Sequence, residues 1–279
     1  MSPEKGIWAN MFLRMGYQRI ISTLGCPERS LGEVAALVSA HNLAGAELRV
    51  LAGMMDLPAY LAQTYGTPDR LWIEARRLGL NVAVIDTSLK LAGSTEADRA
   101  AFLLFVPWAE ALGVRWLRVF DGEAPGPAAT MAEALATLAW WRGRRRAHGW
   151  KCDMLVETHD SFLTADSIHR FAAAAGGAAI RWDSHHTWKK GGENPLVTWR
   201  GIRSHVVAID VKDSIRQPSG RHPYTYVLPG EGEFPMAPLR AALAIEFSGL
   251  VSLEWEKHWH PYLPPLEEAL QAAAEADWW

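Results

Sequence analysis

The run Ala178-Ala179-Ile180-Arg181-Trp182-Asp183-Ser184-His185-His186 reads as a short buried strand that stops on an acid and turns into polar loop. The same ending occurs once before it and twice after it, in Leu155-Val156-Glu157, Val207-Ala208-Ile209-Asp210 and Ser252-Leu253-Glu254. With 31 acidic residues in 279 positions, four such endings arise by chance with a probability of roughly 10⁻⁴. Working outward, eight apolar runs have this character: Arg19–Leu24, Ala46–Val50, Asn81–Asp86, Arg115–Phe120, Cys152–Glu157, Ala178–Asp183, His205–Asp210 and Gly249–Glu254. They are rich in Val, Ile and Leu and do not alternate cleanly, as parallel strands covered on both faces do not. Between them lie segments of helical periodicity, among them Ser30–His41, Glu96–Leu112, Met131–His148, Ala165–Ala175 and Leu266–Ala276. Ser30 with Glu33, and Thr95 with Asp98, stand in capping-box register.

Eight strand–helix units predict an α/β protein, a (β/α)₈ TIM barrel forming a single domain over residues 1–279. A doubly wound sheet fits less well, because the first strand leads into Gly25-Cys26-Pro27 rather than a glycine-rich dinucleotide turn. Composition agrees with a large buried core: 49% of residues are hydrophobic and 21% charged. A net charge of -3 gives no electrostatic reason to bind nucleic acid or an anionic membrane. Two cysteines, Cys26 and Cys152, make neither a disulfide framework nor a metal spacing. There is no apolar run of about 20 residues and no signal-peptide layout, so a cytoplasmic protein is expected. Exposed tryptophans, such as the terminal Trp278-Trp279, would suit the interface of a homo-oligomer.

In a barrel the four acids share the catalytic face and converge on its axis. Carboxylates so placed repel one another unless a cation neutralises them. The expected ligands of one divalent metal are therefore Glu157, Asp183, Asp210 and Glu254; the bland alternative is that each acid caps a helix or forms an ion pair. His186, Lys212, His159 with Asp160, and Glu256 with His258 follow these strand ends closely. Of the neighbours His185 and His186, at most one should point inward. Arg118, inside the fourth strand, must pair with the acids or meet a polar substrate. Pro229–Phe234 lacks the Lys-Ser/Thr of a phosphate loop; it reads as a turn before a Pro235–Phe247 helix, and the Tyr224–Glu233 excursion could cover the site. Trp182, Trp188, Trp255 and Trp259 flank the acids and could pack on a small ligand.

These residues resemble the sugar phosphate isomerase/epimerase family of the xylose isomerase-like TIM barrel superfamily. The likeness rests on Leu155–Ser161, Trp182–His186, Val211–Ser214, Gly230–Gly232 and Ser252–Pro261, with Thr23–Pro27, Gly45–Arg49 and Arg118–Gly122 matching earlier strand regions. The resemblance implies one Mn²⁺, Mg²⁺, Co²⁺ or Zn²⁺ held by Glu157, Asp183, Asp210 and Glu254, with His186 on the substrate. Relatives typically carry His where this chain has Asp210, and an oxygen-only set favours Mn²⁺ or Mg²⁺. The expected chemistry is isomerisation or epimerisation of a sugar or keto-sugar through an enediolate, with Glu157 and Glu254 as base and acid. His186, Lys212, Arg118, His159 and Glu256 would bind the substrate. A lyase or dehydratase on a keto-sugar uses the same intermediate. An endonuclease-like hydrolase would need more metal ligands and a basic groove, and a sugar-binding protein without chemistry would have no need of four acids.

Overall fold

Strands that are apolar on both faces must be covered on both, and a barrel wrapped in helices does this. The protein, seen in a computed structural model, is described here for residues 16–279. The barrel strands are β1 (Gln18–Ser22), β2 (Gly45–Leu48), β3 (Val82–Ala92), β4 (Trp116–Gly122), β5 (Asp153–Glu157), β6 (Ala179–Asp183) and β7 (Val206–Val211). A short antiparallel hairpin follows, β8 (Asp213–Ile215) with β9 (Thr225–Val227), and β10 (Leu250–Leu253) completes the barrel. All barrel pairings are parallel, and the closed order is β1-β10-β7-β6-β5-β4-β3-β2.

Alternation along each strand sorts the barrel interior into layers. Val84, Leu155 and Ala208 form a small apolar cluster separate from the main core. Two residues further along the same strands come Asp86, Glu157 and Asp210, so the apolar floor carries a charged layer directly above it. The main core lies outside the barrel, between strands and helices, and includes Trp141, Trp182, Trp199 and Trp255.

Both expected capping boxes are present, at Ser30 with Glu33 and at Thr95 with Asp98. The expected helix over 96–112 is two helices, Glu96–Leu103 and Val106–Leu112. Pro107 explains the break, since it has no N–H to continue the first helix and suits the first turn of the second. The third strand runs past Asp86 to Ala92, with a register shift between Asp86 and Lys90. The terminal pair corrects the expectation of exposed tryptophans: Trp278 and Trp279 are buried, with Arg19 over the Trp279 ring. Two large rings at a chain end cover more apolar surface by folding back than by facing water. Among the described residues no helix is long and apolar enough to cross a membrane.

Candidate active site

Arg181 is the centre of the lower charged layer. It precedes Asp183 by two residues and so faces the same way along β6. Its guanidinium meets Asp210 at 2.5 and 2.6 Å, Glu47 at 2.6 Å and Asp86 at 3.2 Å, with Glu254 and Glu157 at 3.9 and 4.0 Å. Burial alone would pull its pKa down, but the carboxylates around it, Asp210 first, hold it well above the usual value. Burial pushes Asp210 up well beyond the ordinary carboxylate range, further than the guanidinium pulls it back. Arg118 is fully buried beside Arg181, with Nε 3.0 Å from Glu157, Nη2 3.4 Å from Asp86, and Nη1 donating to the Thr87 carbonyl at 2.9 Å. Of its two expected roles, pairing with the acids is what the fold displays.

Above this layer Lys212 performs the same service at the strand ends. Its ammonium lies 2.8 Å from Asp183 and 2.6 Å from Glu256, and it also donates to Glu254. Burial works against this charge, yet Asp183, Glu254 and Glu256 keep the ammonium's pKa well above normal. The carboxylates respond unequally. Burial, reinforced by Glu157 and Glu256, lifts Glu254 to about 8 in spite of Lys212. Against burial, Lys212 draws Glu256 down to about 2. Asp183 lies well below its usual value because His186 and Lys212 outweigh its burial. Its Oδ1 caps the helix Ser184–Lys189 by accepting the His186 N–H at 2.8 Å.

The two neighbouring histidines part ways, as expected. His186 lines the cavity and sets Nδ1 3.0 Å from Asp183. His185 turns into an aromatic cluster of Trp188, Tyr224, Tyr226 and Phe234, with Nε2 2.8 Å from Ser214. His159 packs against Phe120 and sets Nδ1 2.6 Å from Asp160. Of the four flanking tryptophans only Trp259 lines the cavity; Trp182 and Trp255 are core residues, and Trp188 packs on His185 and Lys189.

Two buried aspartates, whose role the sequence did not reveal, fix the rim. Asp121 accepts the N–H groups of Gly122, Asp160, Ser161 and Phe162, which ties down the loop carrying His159. Asp213 accepts those of Ser214, Gly230, Gly232 and Phe234. A Cβ at Gly232 would lie 2.0 Å from the Asp213 carboxylate, so this turn admits only glycine. The turn and the helix after it, Met236–Glu246, match the plain reading of that stretch. From the Tyr224–Glu233 excursion the Tyr226 hydroxyl donates to Glu256 at 3.1 Å, at the edge of the cavity, while none of its residues is among those lining the cavity.

The resulting cavity, about 60 Å³, is lined by Arg49, Arg118, Glu157, His186, Lys212 and Glu254 among others, with Phe120, His159 and Trp259 also in its wall. A roomier cavity of about 810 Å³ lies between the helices Pro127–His148 and Ala165–Ala174, and holds no comparable group of charges. Of the four expected ligands, Glu157, Asp210 and Glu254 each bring a carboxylate oxygen within 4.8 Å of the others. Asp183 does not join that group, being held by Lys212 and His186. Glu157 Oε2 and Asp183 Oδ2 are buried without a hydrogen bond of good geometry. Around the cavity stand Glu47, Asp86, Glu157, Asp183, Asp210, Glu254 and Glu256 against Arg49, Arg118, Arg181 and Lys212. With every carboxylate ionised and neutral imidazoles this would be three negative charges in excess. The protons that burial favours on Asp210 and Glu254 stand where a cation would compensate the charge, so the donor set fits one divalent cation.

Residues 35–279 match the sequence profile of the xylose isomerase-like TIM barrel. No protein of curated function matches the sequence. Among solved structures, the probable 3-DHS dehydratase AsbF, involved in petrobactin synthesis in Bacillus anthracis, is 17% identical with a TM-score of 0.72, over 92% of this chain and 98% of that one. The IOLI protein, solved with a bound zinc atom, is 17% identical with a TM-score of 0.69, over 93% and 96% of the two chains. The 3-keto-D-glucoside 4-epimerase YcjR of E. coli is 11% identical with a TM-score of 0.68, over 94% and 99%. At such identities the likeness is one of fold.

Proposed function

The chain belongs to the xylose isomerase-like TIM barrel family, and on that premise we propose that it is a divalent-metal-dependent isomerase or epimerase of an unphosphorylated sugar or keto-sugar. The observation that carries this reading is the pair Glu157 and Glu254, whose oxygens face one cavity from strands three places apart around the barrel. The hard step is removal of a weakly acidic proton next to a carbonyl. One carboxylate takes that proton, and the other delivers one to the opposite face or to the neighbouring carbon. The N–H groups of Arg118 and Lys212 stabilise the charge that grows on the enediolate oxygen. Glu157, Asp210 and Glu254 would hold the cation, with Asp183 as the fourth expected ligand, and the cation would add further stabilisation of that charge. His186, His159 and Glu256 bind hydroxyl groups.

Arg118, Arg181 and Lys212 already hold carboxylates, which supports an unphosphorylated substrate. The cavity has room for an ion and little else, so substrate binding displaces the half-buried His159 and Trp259. The two buried free cysteines suit a cytoplasmic setting. A lyase or dehydratase is the second reading, favoured by one feature: Glu254 keeps its proton up to about pH 8, where it could protonate a departing hydroxyl. Arg118 and Lys212 are engaged by carboxylates and the chain's net charge is -3, which speaks against the endonuclease-like reading.

The test is turnover in deuterated water with a panel of ketoses and keto-glycosides. Isomerised or epimerised product should carry deuterium at the carbon next to the carbonyl. Deuterium only in a product that has lost water would move the assignment to the dehydratase.

Cation uptake should also depend on pH, because the proton on Glu254 must leave before its oxygen can ligate. The unfolded-chain value is about 4.3, so between there and about 8 it is the folded, cation-free protein that retains this proton. Mn²⁺ affinity should therefore rise with pH through about 8, each ion releasing the Glu254 proton together with any that burial keeps on Asp210. Calorimetric titration in buffers of different ionisation enthalpy measures this; an affinity independent of pH between 6 and 8 would take Glu254 out of the ligand set.

A further inference from the structure

We propose that Glu157, His159 and His186 form a second cation site, of the zinc type, beside the carboxylate set. One ligand atom from each of these residues lies within 4.8 Å of the others. Glu157 ends β5, His159 stands in the loop after it, and His186 lies in the short helix Ser184–Lys189 that directly follows β6, so the barrel itself sets their spacing.

The orientation of the imidazoles carries the argument. His159 presents Nδ1 to Asp160 at 2.6 Å, and Asp160 is itself held by Lys90 at 3.0 Å and by its backbone N–H on Asp121 at 2.7 Å. His186 presents Nδ1 to Asp183 at 3.0 Å, and Asp183 is held by Lys212. Nδ1 thus faces the Asp160 carboxylate in His159, and in His186 it faces the Thr158 carbonyl at 3.3 Å with Asp183 beside it, so Nε2 is the nitrogen each ring has free for a cation. Among the described residues neither Nε2 has a protein partner. The rings stand edge to face with centroids 4.7 Å apart. A carboxylate behind one imidazole and a backbone carbonyl behind the other are both arrangements that orient metal-ligating histidines. Two such imidazoles with one carboxylate make a three-ligand set that leaves a fourth position open.

The oxygen-only set and this mixed set differ in kind. Imidazole suits zinc and cobalt, whereas carboxylates alone suit manganese and magnesium. Bond lengths of about 2.0 to 2.2 Å place tetrahedral ligand atoms roughly 3.3 to 3.6 Å apart, inside the 4.8 Å within which these three ligand atoms lie. Glu157 belongs to both sets, but the two imidazoles belong only to this one. A cation there would stand between the histidines and any sugar hydroxyl they meet.

The test is titration of the metal-stripped, full-length protein with Zn²⁺ against a chromophoric chelator, and with Co²⁺ by visible absorption. Wild type should bind Co²⁺ with the intense visible band of a four-coordinate site containing nitrogen. His159→Gln and Asp160→Asn should each weaken that Zn²⁺-binding step about 10- to 100-fold and lose the band. Asp160→Asn leaves the ligand in place and removes only its orienting charge, so it separates this role from a folding defect. Glu254→Gln should leave the band intact, which keeps the result independent of the carboxylate set. A Co²⁺ spectrum of six-coordinate oxygen type in wild type, or unchanged Zn²⁺ affinity in both His159→Gln and Asp160→Asn, would overturn the site.

Discussion

Arg181→Met is expected to cost about 3 to 5 kcal/mol of stability, the penalty for leaving buried charge without its partner. The guanidinium lies within 4.0 Å of Glu47, Asp86, Glu157, Asp210 and Glu254, and all five acids are buried. Methionine fills similar volume, so the loss would report charge rather than a void. For a chain of this size that stability change corresponds to roughly 6 to 20 °C in Tm. Urea unfolding followed by circular dichroism measures it directly. Asp210→Asn added to Arg181→Met should recover a large part of the loss, because it removes the acid that accepts two N–H groups from one guanidinium edge. A loss under about 1 kcal/mol would mean that the acids around Arg181 are protonated in the folded state and that Arg181 is not their counter-charge.

The eightfold pattern was legible because strands buried on both faces must be apolar, and because helices between them advertise their caps. The strand ends were legible for the same reason: an acid that closes an apolar run cannot stay in the core unaccompanied. Which acid meets which cation was not legible. Arg181 sat in plain view between Ile180 and Trp182, yet a lone charge in an apolar run gives no sign of its partners. Those partners come from β2, β3 and β7, up to 134 residues away. Asp86 was placed at the end of its strand but drew no weight, and Glu47 lay within a strand and drew none either. The interior layering shows why both matter, since alternation places them on the face that looks inward. Asp121 and Asp213 stood inside strings that carried the family resemblance, but their role could not be read, because serving backbone N–H groups of distant loops leaves no local pattern. The terminal tryptophans misled because burial of a chain end depends on where the barrel brings it, not on its neighbours in sequence.

Glu157→Gln and Glu254→Gln are each expected to lower kcat by about 10² to 10⁴, the range for losing a positioned proton-transfer group. The change keeps shape and polarity, and KM should move far less than kcat if substrate hydroxyls are held by the surrounding residues. The two losses should not add in the double variant, because removing either member stops the same overall conversion. Isotope exchange separates the two roles. If the carboxylates work from opposite faces of the sugar, each single variant keeps a base on one face. Glu254→Gln should still wash deuterium into the epimer whose proton points at Glu157, while failing to form the other epimer. Glu157→Gln should show the mirror result. Circular dichroism must first establish that both variants are folded, since Glu157 also faces Arg118 at 3.0 Å and Glu254 also meets Lys212. If exchange persists from both faces in either variant, the proton carriers are other groups, and nearly unchanged rates in both variants would remove Glu157 and Glu254 as acid and base.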